Sequence, residues 1–118
     1  MVTTSNSNIA WKWIPKDSTL GVWGYIHHLD AGYLTIDECK AAKWPSNNIT
    51  FNECTLKVPN FQFLDIAAEA GQLWRKWKNK IISKYNSYKQ AVVLTLNSKG
   101  NVVAMQPNDV ENQDWSLI

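Results

Sequence analysis

Between Gly71 and Gln90 the chain places Arg75, Lys76, Lys78, Lys80, Lys84 and Lys89 without one acidic residue, and threads Trp74, Trp77, Tyr85 and Tyr88 among them. Half of the 12 basic side chains sit in this stretch, in a protein of net charge +2. Concentrated positive potential attracts phosphate, and aromatic rings in the same place offer faces on which a base stacks. The chemistry these residue types allow is capture of an anionic, base-bearing ligand. In that reading Trp23 or Trp115 stacks on the base, Arg75 with Lys80 or Lys84 neutralises phosphate, and His28 adds a hydrogen bond. The structural alternative is a basic solvated face over a packed aromatic stripe, since rings at helical spacing are usually core.

Other chemistry is less well supported. His27-His28-Leu29-Asp30 contains metal-ligand types, but neighbours in a strand point to opposite faces, so the two histidines do not chelate one ion. Cys39 and Cys54 lack any CxxC spacing and are read as reduced thiols. The acidic pairs Asp37-Glu38 and Asp65/Glu69 suit helix N-termini better than acid–base catalysis. There is no glycine-rich phosphate loop. The expectation is therefore a non-catalytic protein with no cofactor and no metal.

Two resemblances attach to particular residues. His28-Leu29-Asp30, a degenerate His-hydrophobic-His motif, together with Tyr85-Asn86-Ser87-Tyr88-Lys89, resembles the replication-initiator endonucleases of small replicons. That resemblance implies a metal-polarised phosphodiester attacked by Tyr85, although Asp30 stands where the second histidine is needed. The C-terminal run from Gly100 through Pro107-Asn108 to Asn112-Gln113-Asp114-Trp115-Ser116-Leu117-Ile118 looks like the end of phage Thoeris anti-defence sponge proteins. Met105 occupies a position where that family usually has tryptophan. This second resemblance implies sequestration of a cyclic signalling nucleotide without cleavage, by a homo-oligomer, with Asp114 and Trp115 as binding residues. Single-stranded nucleic-acid binding, and a protein–protein inhibitor or structural phage component, are the competing classes.

Length and composition set the frame for these sites. At 118 residues the chain is read as one domain, with 45% apolar residues and enough mass for a core without metal or disulfide staples. Seven tryptophans are many for this size and are expected to anchor that core. No apolar run reaches the roughly 20 residues of a membrane span, and the first residues are polar, so the expected location is cytoplasmic. Acidic stretches flank the basic one, a dipolar layout that suits an anionic ligand or head-to-tail self-association.

The expected elements follow from pattern. Residues 1–8 read as a flexible tail and 9–118 as one α+β domain. Strands are predicted near Ile9–Trp13, Leu20–Leu29, Ile49–Val58, Ala91–Leu96, Asn101–Met105 and Trp115–Ile118. Thr35 with Glu38 forms a capping-box pattern for a short helix from Ile36 to about Lys43, closed by Pro45. Phe63, Ile66, Ala67, Ala70, Trp74, Trp77 and Ile81 share one helical face, predicting a long amphipathic helix from Phe61 to about Tyr85. The fold class expected is a small antiparallel sheet packed against that long helix, with the short helix beside it and no internal repeat.

Overall fold

The computed structural model describes residues 2–4, 7–9, 11–16, 23–43, 50–85, 91–108 and 112–117, and all statements below concern these. The chain runs β1 (Val2–Thr4), β2 (Ser7–Ile9), β3 (Lys12–Pro15), β4 (Gly24–His28), β5 (Gly32–Tyr33), β6 (Thr35–Lys43) and β7 (Thr50–Lys57). It continues through α1 (Ile66–Glu69), a 3-10 turn (Ala70–Gln72), β8 (Trp74–Trp77), β9 (Lys80–Ser83), β10 (Val93–Leu96), β11 (Val102–Met105) and β12 (Trp115–Leu117).

The molecule is mostly β, a curled antiparallel half-barrel, which corrects the α+β expectation. The long helix from Phe61 to Tyr85 is absent: α1 spans four residues, and the segment after the 3-10 turn is the β8–β9 hairpin. Spacing misled because Ile66, a member of the supposed buried stripe, is 84% exposed, whereas Trp74 and Ile81 are buried as strand residues. Lys78, at φ 55, turns the chain between Trp77 and Lys80, and pairing of the hairpin with β4 and β10 overrides the helical pattern. The predicted short helix is likewise strand β6, paired along its length with β7. A register shift between Ile36 and Glu38 breaks its alternation, and the Thr35 hydroxyl donates to the Tyr33 carbonyl instead of capping a helix. Pro45, expected to close that helix, lies outside the described residues.

Other expectations hold. The β10–β11 hairpin is present, with Gly100 at φ 81 in its turn. The closing strand is β12, and it pairs with β1, which lies in the segment read as a tail, as do the first two residues of β2.

Among the described residues one sheet runs in the order β3-β4-β8-β9-β10-β11-β7-β6, with β5 beside β4, and a second in the order β12-β1-β2. Its core gathers Ile26, Leu34, Ile36, Cys54, Trp74, Ile81, Val92, Leu94, Ala104 and Trp115. Gly32 belongs at the β4–β5 turn because a Cβ there would lie 2.0 Å from the Pro59 carbonyl oxygen. Cys39 and Cys54 are direct partners across β6 and β7 and form a disulfide, correcting the reading of both as free thiols.

The structure also reveals a repeated unit where the sequence reading found none. Gln72, fully buried, donates through Nε2 to the Phe61 carbonyl at 3.1 Å and to Thr35 Oγ1 at 3.3 Å, and accepts through Oε1 from the Phe63 N–H at 3.0 Å. Gln113 makes the same three bonds, to the Gln106 carbonyl at 2.9 Å, Thr95 Oγ1 at 3.3 Å and the Asn108 N–H at 2.9 Å. Two residues on, Trp74 donates its indole N–H to the Leu34 carbonyl and Trp115 donates its own to the Leu94 carbonyl. Each unit is thus a Leu-Thr strand, a returning strand, a loop, and a Gln-x-Trp strand that clamps the loop and plugs the core. Every buried polar atom in the clamp has a partner, the condition for burying glutamine at all.

Candidate functional site

The repeated clamps fix the frame on which the basic residues stand. Gly24 pairs with Trp74, so the next step of the antiparallel ladder sets Trp23 beside Arg75, and Arg75 pairs with Ile82 on its other side. Alternation puts these three on the sheet face opposite buried Trp74. Lys84, held by its N–H bond to the Leu73 carbonyl at 2.9 Å, extends β9 on that same face. The Arg75 guanidinium carbon lies 5.3 Å from the Trp23 ring centroid, and the Lys84 ammonium 5.5 Å from it. Within the described residues neither cation has a carboxylate within 4.0 Å, and Arg75 Nε is buried without a hydrogen-bond partner. Two cations thus approach the one indole ring.

Beside this pair sits a group that sequence reasoning missed. Glu69 ends α1 and accepts hydrogen bonds from the Tyr25 hydroxyl at 2.5 Å and from Lys16 at 2.7 Å, with only 13% of its side chain exposed. The bond from Lys16, then that from Tyr25, hold its carboxyl below the ordinary value of 4.5. Burial pushes the Tyr25 hydroxyl up, and its bond to Glu69 adds to the effect. The Lys84 ammonium adds a smaller electrostatic contribution that also lowers the Glu69 carboxyl, so Glu69 offsets part of the charge beside Trp23. No spacing rule joins residues 16, 25 and 69, so the sequence carried no signal for them.

The remaining candidates are placed elsewhere. Lys80 pairs with Asp114 at 3.7 Å, and Asp114 also accepts from the Asn79 side-chain amide at 2.7 Å. Trp115 is 2% exposed, so its ring is a core element, and its carbonyl accepts from Lys76 at 2.8 Å. These residues together tie β12 to the β8–β9 turn. Trp77, also expected in the core, is 36% exposed with the Lys78 ammonium 5.5 Å from its ring. His28 packs edge-on to Trp11, and its Nδ1 accepts from the Asp30 N–H.

Two cavities flank these groups. One of about 440 Å³ is lined by Lys12, Ile14, His27, His28, Leu29 and Asp30. The other, of about 210 Å³, is bounded by Asp37, Lys57, Phe63, Ala67, Ala68 and Tyr85 among others. Neither of these two includes Trp23, Arg75 or Lys84 in its lining. Tyr85 and His28 line different cavities, and no three His, Cys, Asp or Glu side chains among the described residues group as a metal site. Tyr88 and Lys89 lie outside the described residues. No protein-family model matches the chain, and no curated protein or solved structure matches it either. Among the described residues no helix is long and apolar enough to cross a membrane.

Proposed function

We propose that this protein is a non-catalytic binder of a phosphate-bearing ligand, a nucleotide, held where Trp23 meets Arg75 and Lys84. The observation that carries the reading is the approach of two cations to one ring, the Arg75 guanidinium at 5.3 Å and the Lys84 ammonium at 5.5 Å from the Trp23 centroid. A guanidinium offers a fork of donors to phosphate, and an ammonium beside it supplies the point charge. Sequestration of a signalling nucleotide in the cytoplasm by a homo-oligomer is the role to which the C-terminal resemblance adds support.

Nucleoside mono- and diphosphates are expected to raise the melting temperature, and Arg75→Ala and Lys84→Ala each to abolish the shift while the unliganded melt stays cooperative. Absence of any shift with nucleotides or pyrophosphate overturns the proposal.

One observation favours a second reading. Trp77 lies on the same strand face as Arg75 and is exposed, with Lys78 over its ring, so basic and aromatic groups continue along the open hairpin. A single-stranded nucleic acid would use that length. Affinity that grows with strand length and falls steeply with salt marks this case; a mononucleotide site shows no length dependence.

A further inference from the structure

The strand register puts the Glu69 carboxylate on the sheet face that carries the cations. Lys16 donates its backbone N–H to the Trp23 carbonyl at 3.0 Å, continuing the β3–β4 ladder in which Pro15 pairs with Gly24, so Lys16 lies directly opposite Trp23. Directly opposed residues share a face, and Tyr25, two residues beyond Trp23 along β4, shares it as well. Glu69 is bonded to both, to the Lys16 ammonium at 2.7 Å and to the Tyr25 hydroxyl. Lys84, whose ammonium approaches the Trp23 ring, is a further cation that favours the ionised form of Glu69. The two bonds on β3 and β4 and the charge on β9 therefore locate one carboxylate beside the phosphate site.

A carboxylate there is at odds with a site for phosphate alone. Its negative charge offsets part of the attraction that Lys84 exerts on an anion. What it offers instead is acceptor capacity, because an ionised carboxyl has two oxygens and accepts only. Both bonds, from Lys16 and from Tyr25, fall on Oε1, and among the described residues none falls on Oε2. The side chain keeps 13% of its surface exposed, which leaves a ligand a way to it. The two bonds at Oε1 also hold the carboxyl in place before anything binds, so a donor that meets Oε2 does not have to order a long side chain. A ligand that profits from this arrangement carries hydroxyl donors a short distance from its phosphate. A phosphorylated sugar, such as the ribose of a nucleotide, has that chemistry.

We infer that Glu69 is a specificity-determining residue of this site, its Oε2 accepting from a sugar hydroxyl of the ligand whose phosphate is held by Arg75 and Lys84. The inference rests on the phosphate-binding reading above and narrows its ligand class to sugar phosphates. Lys16 and Tyr25 act through Glu69 as positioning residues.

The test compares adenosine 5′-monophosphate, its 2′-deoxy and 3′-deoxy forms, ribose 5-phosphate and pyrophosphate by titration calorimetry. A site that hydrogen-bonds a hydroxyl rejects the analogue lacking it, so at least one deoxy form is expected to bind about tenfold or more weakly than the parent nucleotide, the scale of one bond to a charged acceptor. In Glu69→Gln that preference is expected to shrink severalfold while pyrophosphate binds more tightly, because the charge that opposed the anion is gone. Ribose 5-phosphate bound as tightly as the nucleotide marks a sugar phosphate as sufficient, and much weaker binding marks a nucleotide; the hydroxyl contact holds in either case. If the unaltered protein binds the ribo and both deoxy forms alike, the hydroxyl contact is wrong and the phosphate site stands, a result that needs no variant to fold. If Glu69→Gln weakens all of these ligands equally, Glu69 only positions the cations and the inference fails. If neither nucleotides nor pyrophosphate bind, the phosphate reading falls with it.

Discussion

The two Gln-x-Trp units share a clamp and differ in everything hung on it. In the first, the strand pair β6–β7 carries the Cys39–Cys54 disulfide, and the loop held by Gln72 leads into α1, the aromatic cavity and Glu69. In the second, β10 and β11 are joined by a short turn at Gly100, and Gln113 holds the backbone at Gln106 and Asn108 ahead of β12. The same four hydrogen-bonding groups (Leu carbonyl, Thr hydroxyl, Gln amide, Trp indole) recur in both, so they belong to the scaffold. What is present in one unit alone, at the cavity and around Glu69, is where a function specific to this chain is to be sought.

If the clamps are equivalent, breaking them should cost alike. Trp74→Ala and Trp115→Ala remove indoles 0% and 2% exposed, and each is expected to destabilise the fold by about 3–5 kcal/mol in denaturant unfolding. A cost confined to one of the pair would show that the units are not equivalent supports.

The disulfide sharpens the contrast because it belongs to one unit. Its cysteines are 15 residues apart, and opening a loop of that length removes about 3 kcal/mol in the chain-entropy description. Reduction by dithiothreitol should therefore lower the stability of the oxidised protein by roughly that amount, and Cys39→Ser should abolish the response. A reducing cytoplasm keeps such a bridge open, so the state of these two residues in protein isolated under alkylating conditions reports directly on the compartment.

Next in size are the glutamines. Gln72→Ala and Gln113→Ala each strand buried donors and acceptors that lose their partners, at about 1–3 kcal/mol.

Much of the second unit was legible in the sequence and much of the first was not. Residues from Ala91 to Met105 alternate between short turn signals, and both their strands and Gly100 read correctly. From Phe61 to Tyr85 the apolar residues satisfy a helical period, and only the long-range pairing of Trp74 with Gly24 and Ser83 decides for strands. The Leu-Thr and Gln-x-Trp signatures were visible, but the connections between them differ in length, so no fixed period exposed the repeat. Trp23, Arg75 and Lys84 were identified by residue type and do converge, whereas Lys80, Asp114 and Trp115 share a structural tie and His28 lies at another cavity. Residue type indicates what a side chain can do, and only the ladder register decides what it meets.

The smallest effect expected concerns Glu69, which has no counterpart in the second clamp. Because Lys16 and Tyr25 depress its folded-state pKa below the unfolded value, its ionised form favours the fold. That contribution is fully present above the unfolded value near 4.5 and disappears as pH falls through the lower folded value. Melting temperature followed from about pH 6 to pH 3 should drop less steeply in Glu69→Gln than in the parent, because the variant has no carboxyl to protonate there. The glutamine keeps an acceptor for Tyr25 and loses the ion pair with Lys16, so at neutral pH the variant should be somewhat less stable, with the two curves converging in acid. Parallel curves would mean that Glu69 titrates alike in the folded and unfolded chain, so that neither Lys16 nor Tyr25 favours its ionised form.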